Sequence, residues 1–316
     1  MDAQRDAVPE AAREAGAAPA LRLRGICRSF GPVMALRPID LDILPGEVHA
    51  IVGENGAGKS TLIAIAAGVL APDRGELICG DTPIRAPTPA AMRAHGVAVA
   101  FQHPALAPDL TVLENMALAA PRLARDAAAA AALIARVALP HLRPPTGRRV
   151  AELSIAQRHV VEIALALATA PRVLFLDEPT EPFQQADVAQ LFALVRALRA
   201  EGVAIVYVSH RLHEVAQIAD RVTVLRDGAR VDTRPAGAIT QDEIVTLIAG
   251  RPMAQMFPPK PPGAAAGAAA GAAAGEAVLT VDGLGGAGFR DVRLAARAGE
   301  IVGLAGVEGQ GQRAFL

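Results

Sequence analysis

Apolar and polar positions along the chain form blocks that predict strands and helices in turn. Alternating runs predict half-buried strands and continuous apolar runs predict buried ones; the predicted strands are 21–26, 39–43, 47–53, 172–177, 203–209 and 221–228. Helical spacing predicts helices over 59–70 and 186–200 and a mainly helical stretch over 88–170. Strands that alternate with helices predict an α/β fold with a mostly parallel sheet.

Shifts in composition divide the chain into a main domain and a shorter second segment. Residues 1–20 hold several acids and no apolar run, so we expect a disordered tail rather than a secretory signal. Residues 251–275 are rich in Pro, Ala and Gly, which predicts a linker. The expected domains are therefore 21–250 and 276–316.

A domain-sized repeat connects these two segments. The stretches "LDILPGEVHAIVGENGAGKSTL" and "VRLAARAGEIVGLAGVEGQGQRAFL" keep glycines at matching places; the pairs are Gly46 and Gly299, Gly53 and Gly306, and Gly58 and Gly311. The second copy has only about 40 residues, too few for a domain of the first copy's kind. We therefore expect residues 276–316 to be the truncated start of a second such domain.

The overall composition excludes several classes of protein. The 316 residues carry a formal net charge of −1, so no basic excess indicates binding to nucleic acid. Cys27 and Cys79 are far apart, which argues against a disulfide framework or a zinc site and fits a reducing cytosol. No stretch reaches ~18 uninterrupted apolar residues, so we expect no transmembrane helix.

The stretch "GENGAGKS" (53–60) matches the phosphate-binding pattern G-x-x-x-x-G-K-[ST] in full. Its glycines let backbone N–H groups turn toward a phosphate, and the helix that follows directs its positive end to the same place. We expect Lys59 to bind the β- and γ-phosphates of a nucleotide and Ser60 to place its hydroxyl on Mg²⁺.

Two acids follow the apolar run in "VLFLDE" (173–178). Asp177 at the end of a strand is able to support Mg²⁺ through water, and Glu178 is able to orient or deprotonate a water that attacks the γ-phosphate. Alone, such acids are often only a polar strand end. Combined with the phosphate-binding loop, they predict nucleotide hydrolysis.

Five motifs in order, "GENGAGKST", "FQHP", "LSIAQ", "LFLDEPT" and "VSH", resemble those of ATP-binding cassette (ABC) ATPases. The resemblance implies a P-loop NTPase fold with a β-rich N-terminal part, a RecA-like parallel-sheet core and a helical subdomain at about 88–165. It also implies ATP and Mg²⁺ as cofactors. The residues expected to bind nucleotide from the loop are Gly53, Asn55, Gly56, Gly58, Lys59, Ser60 and Thr61.

The same resemblance implies roles for three residues outside the loop. Phe30 in "RSFG" is similar to the aromatic residue that stacks on adenine, although an ordinary core Phe fits the sequence as well. Gln102 resembles the glutamine that senses Mg²⁺ and the attacking water. His210 resembles the switch histidine that contacts the γ-phosphate.

The segment "LSIAQ" (153–157) lies where the family has its signature, usually written LSGGQ. The resemblance implies that Ser154 and Gln157 contact ATP held by an opposite cassette, either a second cassette or another copy of this chain. Ile155 and Ala156 replace the two glycines and keep their backbone N–H groups. Gln184 stands where many members of the family have Asp.

Two cassettes in one chain, with Gln312 and Arg313 in place of Lys59 and Ser60, resemble the ATP-binding subunits of bacterial importers for monosaccharides or nucleosides. That implies an ATPase at the cytoplasmic face of the inner membrane, bound to transmembrane permease subunits and served indirectly by a periplasmic solute-binding protein. The alternatives are a soluble tandem cassette that acts on ribosomes or DNA and another P-loop enzyme such as a small-molecule kinase. The linker, in which Lys260 is the one charged residue of the Pro/Ala/Gly run, is unlike the charged linkers of the soluble tandem proteins.

Overall fold

The computed structural model describes residues 18–250, 276–298, 301–305 and 311–316. The chain divides into two units, 1–256 and 257–316. The predicted linker and most of the predicted tail lie outside the described residues, as do Gly299 and Gly306 of the repeat. Among the described residues, no helix has the length and apolar character needed to cross a membrane.

The first unit begins with an antiparallel sheet of four strands in the order β2-β1-β4-β5. Its strands are β1 (Leu21–Phe30), β2 (Val33–Ile43), β4 (Arg74–Cys79) and β5 (Thr82–Ile84). The predicted strand at 39–43 is therefore only the end of β2, which pairs with β1 along its whole length. The turn between β1 and β2 contains Gly31 at φ 57°, a left-handed conformation that favours glycine.

A second sheet of six strands has the order β10-β9-β3-β8-β7-β6. Its strands are β3 (Val48–Val52), β6 (Val97–Ala100), β7 (Val173–Asp177), β8 (Ala204–Val208), β9 (Arg221–Arg226) and β10 (Ala229–Pro235). All neighbours are parallel except β9 and β10. Every residue of β3, β7 and β8 is buried, as their apolar runs predict.

Eight helices are described in the first unit. They are α1 (Lys59–Ala66), α2 (Pro89–Ala94), α3 (Val112–Ala119), α4 (Ala127–Val137), α5 (Ile155–Ala168), α6 (Gln185–Ala200), α7 (Leu212–Ile218) and α8 (Gln241–Ala249). The stretch 88–170 is not all helical, because β6 lies within it and pairs with β7. Helix α1 ends before the predicted residue 70, where Gly68 turns the chain at φ 72°.

Apolar side chains pack on both faces of the six-stranded sheet. On one face, Val173 and Phe175 of β7 join α1 and the antiparallel sheet in one core. On the other face, Leu174 and Leu176 join α3, α4, α5 and α6. Because both faces are covered, polar groups of the central strands reach solvent only at the strand ends. The carboxyl ends of β3, β6, β7 and β8 meet at one edge, and this edge carries the predicted motifs other than "LSIAQ".

The second unit contains a hairpin and one short helix among its described residues. The hairpin pairs β11 (Ala277–Gly286) with β12 (Phe289–Arg297), and α9 covers Gln312–Phe315. Gly311 precedes α9 at φ 86° and packs against the carbonyl of Gly288. Gly58 precedes α1 in the same conformation, at φ 99°, and packs against the carbonyl of Ala35. The repeat in the sequence is thus also a repeat of local structure.

Candidate functional site

A cleft of about 730 Å³ lies at the carboxyl edge of the six-stranded sheet. Its lining consists of Phe30, Ala35, Gly53, Glu54, Asn55, Gly56, Gly58, Lys59, Ser60, Thr61, Gln102, Asp177, Glu178, Glu181 and His210. The structure therefore brings together every predicted site residue except Ser154 and Gln157. The residues come from loops far apart in sequence, which the parallel strands deliver to one edge.

The loop from Gly53 to Gly58 owes its shape to packing as well as to glycine's freedom. A Cβ on Gly53 would collide with the carbonyl oxygen of Leu225 on β9. Gly58 has φ 99°, and a Cβ there would lie 2.7 Å from the carbonyl oxygen of Ala35. The loop is thus pressed against its neighbours, and α1 begins directly after it with its positive end at the cleft.

Lys59, the first residue of α1, is largely buried beneath this loop. Its Nζ donates hydrogen bonds to the carbonyl oxygens of Gly53 at 2.7 Å and Glu54 at 3.0 Å. Burial lowers the pKa of Lys59, while the nearby carboxylates of Glu178 and Asp177 oppose that shift. The loop's own carbonyls therefore hold a cation where a phosphate would approach.

Asp177 and Glu178 extend from the end of β7 into the cleft. Burial raises the pKa of Asp177 to about 6, and the adjacent Glu178 contributes to the rise, while Lys59 and His103 act in the opposite direction. Two carboxylates so close in a partly dry cleft repel each other, so the site favours a cation beside them.

Glu178 has an unusual backbone conformation, with φ 47°. A residue other than glycine in the left-handed region carries a conformational cost, and such residues concentrate at functional sites. Its N–H donates to the carbonyl of Val208 at 2.9 Å, which fixes this turn against the end of β8. Its Oε1 lies 2.9 Å from Nδ1 of the exposed His210. The structure thus joins the predicted water-activating acid to the predicted switch histidine.

Gln102 follows β6 and meets a residue that the sequence motifs did not single out. Its Nε2 donates to Oε2 of Glu181 at 3.1 Å. Glu181 lies three residues after Glu178. An acidic residue so close to the end of the strand was the one feature of the sequence that could have indicated a place in the site.

A buried carboxylate supports the loops beneath the cleft and was also missed. Glu214 on α7 is 1% exposed and accepts hydrogen bonds from Thr180 Oγ1 at 2.8 Å and Tyr207 OH at 2.6 Å. Its other oxygen accepts from Arg211 Nη1 at 3.2 Å. Burial, together with the bond to Glu214, raises the pKa of Tyr207, so this hydroxyl remains a donor. Glu214 therefore joins the loop after β7 to the loop after β8.

Phe30 and the pair of Ser154 and Gln157 lie in different surroundings. Phe30 is 49% exposed at the cleft, with the guanidinium carbon of Arg28 5.2 Å from its ring centre, so it is not a core residue. Ser154 caps the start of α5: its Oγ accepts from the N–H of Gln157 at 3.2 Å, and Gln157 Oε1 accepts from the N–H of Ser154 at 3.2 Å. This pair lies outside the described lining of the cleft.

The oxygen donors of the cleft fit a hard divalent cation. Ser60 offers a hydroxyl, Gln102 a carboxamide oxygen and Asp177 a carboxylate. Within the described residues, no group of three or more His, Cys, Asp or Glu side chains is placed to hold a metal by itself.

Three comparisons with known proteins bear on this site. Residues 36–181 match the model of the "ABC transporter" family. The "Ribose import ATP-binding protein RbsA 1" of Rhizobium johnstonii is 41% identical over 305 residues, covering 94% of this chain and 58% of that protein. "Ribose import ATP-binding protein RbsA 2" of Streptomyces avermitilis is 43% identical over 310 residues, covering 95% of this chain and 58% of that protein. The chain thus spans 58% of the length of these relatives.

Solved structures also resemble the fold. The ADP conformation of MJ1267, an ATP-binding cassette of an ABC transporter, superposes with a TM-score of 0.60 at 27% identity. The match covers 73% of this chain and 94% of that structure. A nucleotide-free ATP-binding cassette from an ABC transporter gives a TM-score of 0.61 at 26% identity, covering 74% of this chain and 96% of that structure.

Proposed function

We propose that the chain, which is similar to the ATP-binding proteins of the ABC transporter family, binds ATP with Mg²⁺ and hydrolyses it to drive import of a sugar. The observation that carries the proposal is the convergence of Lys59, Gln102, Asp177, Glu178 and His210 in one cleft. These five groups suit hydrolysis of ATP, whereas the coupling to sugar import rests on the names of the relatives.

Each group has a task that its surroundings support. The Lys59 ammonium and the start of α1 bind the phosphates of ATP, and the aromatic ring of Phe30 offers a stacking surface for adenine. Glu178 orients and deprotonates the attacking water, with its 2.9 Å contact to His210 holding the carboxylate in place. His210 contacts the γ-phosphate and stabilises the charge that develops there.

Ser60, Gln102 and Asp177 would hold Mg²⁺, which would supply positive charge to neutralise the phosphate oxygens. Although burial raises the pKa of Asp177 to about 6, this carboxyl is mostly ionised at neutral pH, and a metal beside it would relieve the electrostatic cost of that ionisation.

Hydrolysis in this proposal needs a second cassette or a second copy of the chain. Ser154 caps α5 and the adjacent Ile155 is 69% exposed, so the start of this helix is accessible to a partner. The backbone N–H groups there and the positive end of α5 suit the γ-phosphate of an ATP bound by an opposite cassette. Gln184, in place of Asp, changes the polar groups offered to that partner.

For the whole protein we propose the role of an importer's ATP-binding subunit. It would bind transmembrane permease subunits at the cytoplasmic face of the bacterial inner membrane, with a periplasmic solute-binding protein delivering the solute. The relatives' names support a sugar such as ribose over a nucleoside, and they do not support the alternative of a soluble factor acting on ribosomes or DNA. Co-purification from bacterial extract separates these possibilities: membrane subunits and lipid support import, whereas ribosomes or DNA contradict it.

Replacing Glu178 tests the catalytic assignment. We expect Glu178→Gln to lower phosphate release by about 10²–10⁴-fold while ATP binding is retained, because the amide cannot take a proton from water. Glu76→Gln, which removes an exposed carboxylate from β4, serves as the matched control. A Glu178→Gln variant that hydrolyses ATP at the wild-type rate contradicts the assignment.

The dependence of rate on concentration tests the need for a partner. If two copies must pair, the rate of hydrolysis per molecule falls as the protein is diluted, because the paired fraction falls. A rate per molecule that stays high and constant down to nanomolar protein argues against pairing between copies.

A further inference from the structure

The contact between Gln102 and Glu181 bridges two loops of the cleft. Gln102 follows β6 and Glu181 follows β7, and Gln102 Nε2 lies 3.1 Å from Glu181 Oε2. Both side chains line the cleft beside Asp177 and Ser60. None of the chemistry assigned above uses Glu181.

A carboxylate fixes which end of the neighbouring carboxamide faces it. An ionised carboxylate only accepts hydrogen bonds, whereas a carboxamide has a donating NH₂ and an accepting oxygen on the same planar carbon. Glu181 therefore accepts from the Nε2 of Gln102, and the Oε1 of Gln102, which cannot donate to a carboxylate, is left to accept from another partner. A neutral partner that both donates and accepts would allow the carboxamide to turn either way.

Glu181 lies on a turn that is anchored from below. The preceding residue, Thr180, donates its hydroxyl to the buried Glu214 at 2.8 Å. Backbone bonds close the turn, from Glu181 N to Glu178 O at 3.3 Å and from Phe183 N to Thr180 O at 3.0 Å. Pro182 restricts the backbone of Glu181, which directly precedes it. The carboxylate is thus presented from a defined position.

We propose that Glu181 is a positioning residue that directs the carbonyl oxygen of Gln102 toward the metal of the nucleotide complex. This inference rests on the proposed binding of ATP with Mg²⁺. Glu181 acts through Gln102 and does not itself ligate the metal.

The test measures how much Mg²⁺ strengthens ATP binding. The Kd for ATP is determined by titration calorimetry of the full chain in excess Mg²⁺ and in EDTA. The ratio of the Kd in EDTA to the Kd in Mg²⁺ gives the factor by which the metal strengthens binding. The variants are Gln102→Ala, Glu181→Ala, Glu181→Gln and the double variant Gln102→Ala with Glu181→Ala. Glu76→Gln again controls for the loss of one exposed carboxylate.

We expect Gln102→Ala to lower the ratio about tenfold and either Glu181 variant to lower it about threefold. In the Gln102→Ala background, Glu181→Ala should have no further effect, because its target is gone. Thermal unfolding midpoints identify any variant that is not folded.

Two results overturn the inference. One is an unchanged ratio in both Glu181 variants. The other is a Glu181→Ala substitution that lowers the ratio as much in the Gln102→Ala background as in the wild type. That result would show that Glu181 attracts or ligates the metal directly. Failure of the proposed function looks different, because the wild-type chain would then bind no ATP in either buffer.

Discussion

Each unit contains a turn in which a glycine directly precedes a helix, and the two turns have the same local geometry. Gly58 and Gly311 have φ values of 99° and 86°, and each packs against the carbonyl of a residue at the matching place in the repeat, Ala35 or Gly288. The next side chain along the hairpin also matches, since Gly58 packs on Leu36 and Gly311 on Phe289.

The two turns differ in the residue that comes directly after the glycine. The first turn continues with Lys59, which faces Asp177 and Glu178, whereas the second continues with Gln312. A turn of this shape is therefore a packing solution that needs no phosphate chemistry. The chemistry is added by the residues after the glycine and by the strand ends that meet it.

We expect the largest effect on stability when the glycine of the first turn is replaced. Gly58→Ala places a Cβ 2.6 Å from Leu36 Cδ2 and 2.7 Å from the Ala35 carbonyl, at a φ that alanine avoids. We expect it to destabilise the first unit by about 3 kcal/mol, measured as a fall in the denaturation midpoint.

Two further glycines serve as controls for this prediction. Gly56 has φ 87° but open space around its Cβ position, so Gly56→Ala should cost only about 1 kcal/mol. Gly311→Ala should leave the main transition unchanged, because a short hairpin has marginal stability of its own. Equal losses at Gly56 and Gly58 would show that conformation alone, and not packing on Ala35, sets the cost.

Exchanging the residue after the glycine tests the chemical difference between the turns. Lys59→Gln gives the first turn the side chain of the second and removes the buried ammonium. We expect about 50-fold weaker ATP binding, or about 2.3 kcal/mol, because charge-assisted bonds to phosphate are lost.

The reverse exchange is the matched control. Gln312→Lys should leave the ATP affinity and the number of bound ATP molecules unchanged, because the acids Asp177 and Glu178 belong to the first unit. A second bound ATP in this variant would show that a lysine after the glycine is sufficient.

The motifs in the sequence predicted most of the residues that line the cleft, while Glu181 was missed and Ser154 and Gln157 lie outside the lining. The sequence placed Asp177 and His210 at the ends of strands and Lys59 at the start of the helix after the glycine-rich loop, and parallel strands leave their ends at one edge. Gln102 and His210 were assigned to the site by their resemblance to the family's motifs and not by the apolar runs.

Contacts between loops were beyond what the sequence could predict. The bond between Gln102 and Glu181 depends on the separation of β6 and β7, which are adjacent in the sheet but far apart in the chain. The strand β6 was hidden because "VAVA" is short and lies between helices that dominate the pattern. The left-handed conformation of Glu178 is also imposed by tertiary contacts, because its residue type does not favour it.

The smallest predicted effect concerns the electrostatic cost of ionising Asp177 in the cleft beside the first turn. The pKa of Asp177 is raised from 3.8 to about 6, so the native state holds this proton more tightly than the unfolded chain does. The resulting stabilisation is complete below a pH of about 3.8 and is lost as the pH rises through about 6. The Asp177→Asn variant cannot ionise at this position, so its stability does not fall in this way as the pH rises.

We therefore expect Asp177→Asn to be more stable than the wild type by about 1 kcal/mol at neutral pH, with the gap narrowing as the pH falls from about 7.5 toward about 5. Denaturant unfolding of both proteins across this range measures the gap. Titrating groups that do not interact with Asp177, including Glu162 with its pKa raised by burial to about 7, cancel because both proteins contain them. A wild type that is the more stable protein at the upper end of this range would mean that Lys59 and His103 outweigh burial and the Glu178 charge. In that case the positive groups of the cleft already compensate the charge of Asp177 without a metal, and the electrostatic argument for a cation beside Asp177 fails.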